Sequence, residues 1–301
     1  MSRIGSATYR FNTILVGLES VAAERGDAGA IAVSWTKPNG PAQAKNAATQ
    51  ARSFACAGAI VLAADVFDSY IREVAEEDWL SFDNDVVDIA TKAITRPKEK
   101  GGAYSVAERA MALSEDVGVD DLTSIALIDL FSKWRNVVAH SSDRNPKIDS
   151  NSRHVLLEQS GQISKSHAHL RVDLAIRNFE SRAVPVPKEV TSLVANAVRF
   201  AKSIDEAAVR RVSSTTQEIE DVAEALLRRF FLKRGATSAR SIVADLWQGE
   251  ESRRFMGLIK LMGSLGISES SKPISAVLRA NYVSELCALT RDQFEHRYLI
   301  P

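Results

Sequence analysis

The chain has 301 residues, of which 45% are hydrophobic and 25% charged, and its formal net charge is zero. This is the balance of an ordinary globular protein, long enough for one large domain or two ordinary ones. Because the chain has no global basic field to bind nucleic acid indiscriminately, any RNA contact must come from a local patch.

The sequence lacks signals for export, membrane insertion and metal binding. No basic stretch leads into a long apolar run at the N-terminus, and no stretch of about 18 apolar residues stands out. Cys56 and Cys287 lie far apart in apolar segments without metal-ligand spacing, so we expect them to be reduced and buried. These features predict a soluble cytoplasmic protein that has no membrane contact, metal or cofactor.

Helices dominate the predicted elements from residue 43 onwards, whereas residues 1–42 are assigned to a separate N-terminal segment. A long helix is predicted to begin near Ala42 and to run to about residue 82, because this stretch is rich in Ala and contains no Pro. Asp65 and Asp68 interrupt the apolar face of this helix. The simplest interpretation of each is a solvated helix carboxylate.

Three further helices are predicted before the middle of the chain. The first spans Asn84 to Ile94, and the second spans Ser105 to Ser114 with a capping box completed by Glu108. The third is capped by Asp120 or Asp121, and its apolar residues recur at intervals of three and four. This pattern predicts a well-formed amphipathic helix.

The last turns of this third helix carry polar groups suited to cutting RNA. Arg135, Asn136 and His140 place a permanent cation, an amide and a titratable imidazole within six residues. RNA supplies its own nucleophile, so a protein need only deprotonate the 2′-OH, hold the phosphate and protonate the leaving oxygen. Histidine moves protons near neutral pH, and arginine matches phosphate oxygens with its planar fork. Such a scheme needs no metal.

The spacing of these groups on a helix favours a dimer. Asn136 and His140 are neighbours on one face, but Arg135 lies about 140° around the helix from His140, at about 100° per residue. One helix alone is therefore not expected to bring the groups together. Two copies of the motif helix related by two-fold symmetry would do so, which predicts a homodimer. A second Arg–His pair at the same spacing, Arg291 and His296, lacks the Asn.

The segment from Trp134 to Ser141, WRNVVAHS, resembles the signature of the HEPN superfamily: an Arg, usually a polar residue such as Asn, and a His after a short spacer. The resemblance implies a small all-helical domain that dimerises through its motif helices. In many members it also implies metal-independent endoribonuclease activity that leaves a 2′,3′-cyclic phosphate. Toxin–antitoxin pairs, abortive infection and other antiphage defence are the implied settings, with an antitoxin or another regulatory protein as a partner.

Two further points follow from the resemblance. In the family, an acidic or polar residue from the long helix can approach the motif Arg, which makes Asp65 and Asp68 candidate partners of Arg135. Ser142 departs from the family, because toxins silenced by a nucleotidyltransferase often carry Tyr at that place. The structural alternative is a solvated Arg, a His that favours the helix dipole, and a Val-Val-Ala stretch that fills a core.

The sequence after His140 loses its periodicity and gathers turn residues. Arg144, Lys147 and Arg153 are candidate RNA contacts there, although an ordinary solvated loop explains them equally well. The alternating segments HVLLEQ and HAHLRVDLA, separated by Ser-Gly, favour a short β-hairpin inserted in the helical domain. His167 and His169 would then share a strand face as metal ligands, with surface histidines as the simpler interpretation.

A strong helix is predicted from Lys188 to Val212, and the Ser-Ser-Thr-Thr break after it marks a domain boundary. The result is a HEPN-like helical domain at 43–212 and a C-terminal helical domain at 213–301, made of four or so short helices. The densest basic cluster of the chain lies in this second domain and is a candidate for binding RNA phosphates. We favour the alternative that it is a solvated helix face over a Phe-containing core. Its central residues are Arg228, Arg229, Lys233 and Arg234.

Together these features predict an all-α protein that cleaves RNA, with tRNA among its candidate substrates, by acid/base chemistry at His140. The alternative is a non-catalytic helical module that binds a partner protein or a nucleotide. Arg135 and His140 must share a solvated cleft for the first function, whereas burial of the two apart would favour the second.

Overall fold

The computed structural model describes residues 2–25, 36–91, 104–140, 147–212, 215–265, 267 and 281–299. All regular elements among these residues are helices, which confirms the all-α prediction. The chain divides into two compact units, Met1–Ala207 and Ala208–Pro301.

Among the described residues, the first unit has eight complete helices and most of a ninth, which continues past the unit boundary. They are α1 (Ser2–Ala22), α2 (Pro41–Ala75), α3 (Asn84–Thr91), α4 (Val106–Asp116), α5 (Leu122–Ala139), α6 (Ser150–Glu158), α7 (Ser160–Ser166), α8 (Val172–Glu180) and α9 (Pro187–Val212). A short 3-10 helix, Asp78–Leu80, follows α2.

Helix α2 is the longest element, and the helices around it shield part of its surface. Gly40, with a φ of 84°, precedes Pro41 at the first helical turn, a position that suits proline because it needs no N–H donor there. Helix α2 contacts α1, α3, α4 and α5. Helix α1 was not predicted; its Phe11 is buried, and its Glu19 pairs with Arg52 of α2.

By length and composition alone, α2 is apolar enough to cross a membrane. Its most apolar 18-residue window has a mean hydropathy of 1.6, and 39% of that window is buried inside the protein. The core helix of a soluble protein has the same properties, and the contacts of α2 with four other helices favour that role. The cytoplasmic location stays a prediction.

Helix α5 lies at the centre of the first unit. Asp121 caps it by accepting a hydrogen bond from the Ser124 N–H at 2.9 Å, as predicted for one of two candidate residues. Trp134 is fully buried, and its indole N–H donates to the Ala183 carbonyl at 3.0 Å. These contacts anchor both ends of the helix that carries Arg135 and Asn136.

The predicted β-hairpin is wrong, because α6, α7 and α8 occupy that region. Asp149 caps α6 by accepting from the N–H groups of Asn151 and Ser152. Helix α8 buries Val172, Ala175, Ile176 and Phe179, which are three, one and three residues apart and therefore lie on one face of a helix. In so short a segment, the alternation expected of a strand fits the sequence equally well. His167 and His169 therefore lie in the turn between α7 and α8.

The second unit has its own apolar core. Its described helices are α10 (Thr216–Lys233), α11 (Ala236–Trp247), α12 (Glu251–Ser264), α13 (Tyr282–Ala288) and α14 (Arg291–Leu299). Phe294 is central to the core, with ring centroids 4.6 Å from Trp247 and 4.5 Å from Tyr298. Both cysteines of the chain are buried and free, as expected.

Candidate active site

The imidazole of His140 and the guanidinium of Arg135 meet at the end of α5. The helix stops at Ala139, and His140 adopts an extended conformation with φ −126° and ψ 112° while its N–H still donates to the Asn136 carbonyl at 2.8 Å. Arg135 Nη1 lies 3.3 Å from His140 Nε2. The expectation that one helix cannot bring them together is wrong, because it assumed that His140 continues the helix.

Two other predicted side chains complete the cluster. Arg135 Nη1 also donates to Asn136 Oδ1 at 3.1 Å. On its other edge, Nε and Nη2 approach Oδ1 of Asp65 on α2 at 2.9 Å and 2.8 Å. Arg135 is thus held between a carboxylate on one side and an amide and an imidazole on the other.

The contact with Arg135 fixes the protonation pattern of His140 in this arrangement. A guanidinium has only donors, so Nε2 must accept, and a neutral ring then carries its proton on Nδ1. The cluster faces solvent: the Arg135 side chain is 28% exposed and that of Asp65 is 51% exposed. Asn136 and His140 are exposed as well. A ligand in solution can therefore reach all four side chains.

Asp68, the second acidic candidate, has a different partner. Its Oδ1 lies 2.5 Å from Nη2 of Arg109, and its Oδ2 lies 3.2 Å from Nη2 of Arg72. Arg109 is buried, and burial lowers the pKa of its guanidinium while Asp68 opposes that shift. Asp68 thus neutralises a buried cation and does not join the Arg135 cluster.

The predicted RNA-binding residues are spread over both units. In the first unit, Lys147 is exposed, Arg153 pairs with Glu180 at 3.3 Å, and Arg144 lies outside the described residues. In the second unit, three residues of the basic cluster are exposed and Arg229 is half-buried; the three are Arg228, Lys233 and Arg234.

One residue of the basic cluster stacks on an aromatic ring of α10. The Arg234 guanidinium stacks over the Phe230 ring at 4.2 Å, whereas Phe231 is buried in the core of the second unit. This matches the favoured interpretation of a solvated basic face over a Phe-containing core. It does not test RNA binding.

His167 belongs to a polar network that holds the turn after α7. Its Nε2 lies 3.1 Å from Asn196 Oδ1, and its Nδ1 lies 2.8 Å from Ser166 Oγ. Burial lowers the pKa of His167, and Asn196 opposes this shift. Among the described residues no group of three or more His, Cys, Asp or Glu side chains can hold a metal. A structural role accounts for His167.

One further residue, Asp129, was not singled out from the sequence. It lies within the apolar repeat of α5, is 3% exposed, and pairs with Lys133 at 3.1 Å. The sequence signal that could have identified it is an Asp at a core position of the helix with a Lys four residues later, a spacing that allows the two side chains to pair.

Comparisons with protein-family models, with curated proteins and with solved structures find no match for this chain. The functional argument therefore rests on its own residues.

Proposed function

We propose that the first unit is a metal-independent endoribonuclease of the HEPN type. The observation that carries the proposal is the contact between Arg135 and His140 in a solvent-exposed cluster, with Asn136 and Asp65 bound to the same guanidinium. Phosphate binding and proton transfer need just these two groups side by side.

In the proposed reaction, Arg135 binds the phosphate and stabilises the charge that develops on its oxygens. When Arg135 Nη1 turns from His140 to the phosphate, His140 Nε2 is released and takes the proton of the 2′-OH as the 2′-oxygen forms a bond to phosphorus. The bond from phosphorus to the 5′-oxygen breaks, and an imidazolium donates a proton to that oxygen. The products are a 2′,3′-cyclic phosphate and a 5′-OH. Asn136 orients the substrate or the imidazole.

We also propose that the active form is a homodimer formed through the motif helix, so that a second copy supplies a second His. An exposed apolar side chain on the same side of α2 as Asp65, about three turns away, supports an interface between copies. Phe54 is 82% exposed, and it lies about 20° from Asp65 around α2, at about 100° per residue. The proposed setting is a toxin or antiphage defence system with a regulatory protein as partner.

The first test compares two histidine variants in EDTA with total RNA, tRNA and single-stranded oligonucleotides as substrates. His140→Ala is expected to abolish cleavage with the helical circular dichroism unchanged. His154→Ala is the matched control, because His154 is exposed on α6, where its ring lies 3.8 Å from Glu158 and outside the Arg135 cluster. Equal cleavage by wild type and His140→Ala would remove the assignment of His140, whereas no cleavage by either protein would leave a silenced enzyme or the non-catalytic binding module.

A further inference from the structure

A cavity lies along α5, on the N-terminal side of the motif residues. Its volume is about 410 Å³, and it is lined by residues of α4, α5 and α6 and of the caps before α4 and α6. Apolar side chains such as Met111 form one part of its wall. The charged residues of its lining are Glu108, Asp129, Lys133 and Asp149. This size and mixed lining are typical of a small-molecule or single-base pocket.

Asp129 places one carboxylate oxygen without a partner at this cavity. Its side chain is 5% exposed. Its Oδ2 accepts from the Lys133 ammonium and from the Asp149 N–H, both at 3.1 Å. No described residue donates to Oδ1, and this oxygen is not one of the side-chain atoms that are sealed from solvent without a partner. Oδ1 is therefore open to the cavity and suited to accept from a ligand there.

The position of the cavity along α5 links it to the motif. Asp129, Lys133 and Asn136 are spaced by four and three residues and therefore lie on one face of the helix. From Asp129 to Asn136 the helix rises about 10 Å, at about 1.5 Å per residue. A single nucleotide spans this distance between the edge of its base and its 3′-phosphate. A base in the cavity thus brings its 3′-phosphate toward Asn136, whose side-chain oxygen accepts from Arg135 Nη1.

We propose that this cavity is the base-binding subsite of the nuclease and that it selects guanine at the nucleotide 5′ to the cleaved bond. The inference rests on the proposed function. Guanine carries two adjacent N–H donors, N1–H and N2–H, beside the acceptor O6. Asp129 Oδ1 accepts from the donors, and Lys133, which has further N–H groups, donates to O6. Unpaired bases of single-stranded RNA expose this edge.

The other bases fit this pair of groups less well. Adenine and cytosine offer one amino group next to a ring nitrogen, and uracil offers a single ring N–H between two carbonyls. Each therefore offers Oδ1 a single donor where guanine offers two, so one hydrogen bond at the carboxylate is lost. A purine ring also covers more of the apolar wall than a pyrimidine ring does.

The test uses four single-stranded RNA oligonucleotides that differ only in the base 5′ to one cleavable bond, the other 2′ positions being deoxy. Wild type is expected to cleave after guanine roughly tenfold faster or more than after any other base. Met111→Trp places a large ring in the cavity while keeping the Asp129 carboxylate and Lys133, and should remove this preference. Met256→Trp, at an exposed position of the second unit, is the matched control.

A second measurement separates failure of the subsite from failure of the nuclease. Binding of 3′-GMP and 3′-AMP is followed by calorimetry on wild type, His140→Ala and Met111→Trp. We expect 3′-GMP to bind wild type and His140→Ala more tightly than 3′-AMP does, and Met111→Trp to lose this difference. His140-dependent cleavage without base preference, or a guanine preference that survives Met111→Trp, would overturn the subsite and leave the nuclease standing. If none of these proteins cleaves RNA, the proposed nuclease activity fails. If wild type binds 3′-GMP and 3′-AMP equally, the guanine subsite fails whether or not RNA is cleaved.

Discussion

Asp65 on α2 binds two nitrogens of Arg135 on α5, Nε and Nη2, although the two residues are 70 positions apart. This contact occupies one edge of the guanidinium and leaves Nη1 directed at Asn136 and His140. Asp65 therefore sets the orientation of the cation on which the proposed chemistry depends.

Replacing Asp65 by Ala is expected to lower the single-turnover rate of RNA cleavage by roughly tenfold to a hundredfold, because a misplaced cation stabilises the transition state poorly. The free energy of unfolding should change by less than about 1 kcal/mol, since the pair is exposed to solvent. The measurements are cleavage kinetics and urea denaturation of the same preparations. An unchanged cleavage rate would show that Asp65 has no part in the site.

Asp68→Ala is expected to have the opposite profile. It leaves the buried Arg109 without its carboxylate, so the free energy of unfolding should fall on the order of 2 kcal/mol. The cleavage rate of the folded fraction should stay close to that of wild type. Urea denaturation measures the first effect, and kinetics at a temperature well below the transition measure the second.

The capped helices of this fold were predictable because their signals are local. The capping box of Ser105 and Glu108 and the cap at Asp121 depend on residues within one turn, and both are present. The hairpin was wrong because its signal was local as well: a short apolar run fits a strand or a helix equally well, and only its packing partners decide between them.

The site was predictable in its residues but not in its geometry. The sequence alone does not distinguish Asp65 from Asp68 as the partner of Arg135. The structure shows that Asp68 pairs with the buried Arg109, whereas Asp65 pairs with Arg135. The meeting of Arg135 with His140 depends on where α5 ends to within a single residue, a detail that periodicity does not determine.

The protonation of His167 makes stability depend on pH. Its pKa is lowered in the folded protein, mainly by burial and further by Arg199, while Asn196 and Asp121 oppose the shift. The unfolded chain therefore binds a proton at a higher pH than the folded chain does. The contribution of His167 to stability is present above its unfolded pKa of about 6.5 and falls as the pH drops from there to the folded pKa.

We expect urea denaturation of wild type to show this loss between pH 7.5 and pH 5.5, and His167→Gln to show less of it. Glutamine keeps a donor for Asn196 but does not titrate. His154→Gln serves as control, because His154 is exposed on α6. An identical pH dependence in wild type and His167→Gln would contradict the assignment.

A charge on the exposed apolar face of α2 should disrupt the proposed homodimer. Phe54→Glu is expected to shift the mass measured by light scattering from two chains to one, and to reduce cleavage at protein concentrations where wild type is dimeric. Met256→Glu is the control, since Met256 is 57% exposed on α12 of the second unit. A monomeric wild type that cleaves RNA at full rate would remove the dimer from the mechanism.

The basic cluster at the end of α10 is expected to be a solvated face that RNA does not need. Lys233→Glu with Arg234→Glu should therefore leave RNA affinity and its salt dependence close to those of wild type. Fluorescence anisotropy across a salt series measures both. A salt dependence that becomes less steep, by about one unit for each phosphate that the protein no longer binds, would instead place this face in the RNA interface.

The central claim, that this protein cleaves RNA through attack by the 2′-OH, is tested most directly with one oligonucleotide in two forms in the presence of EDTA. The first form is RNA throughout, and the second carries a single 2′-deoxy sugar at the cleaved position. Mass spectrometry of the wild-type products should find a 2′,3′-cyclic phosphate from the first form and no cleavage of the second. Cleavage of the 2′-deoxy form at the same bond, or ends that carry a 5′-phosphate, would contradict the mechanism.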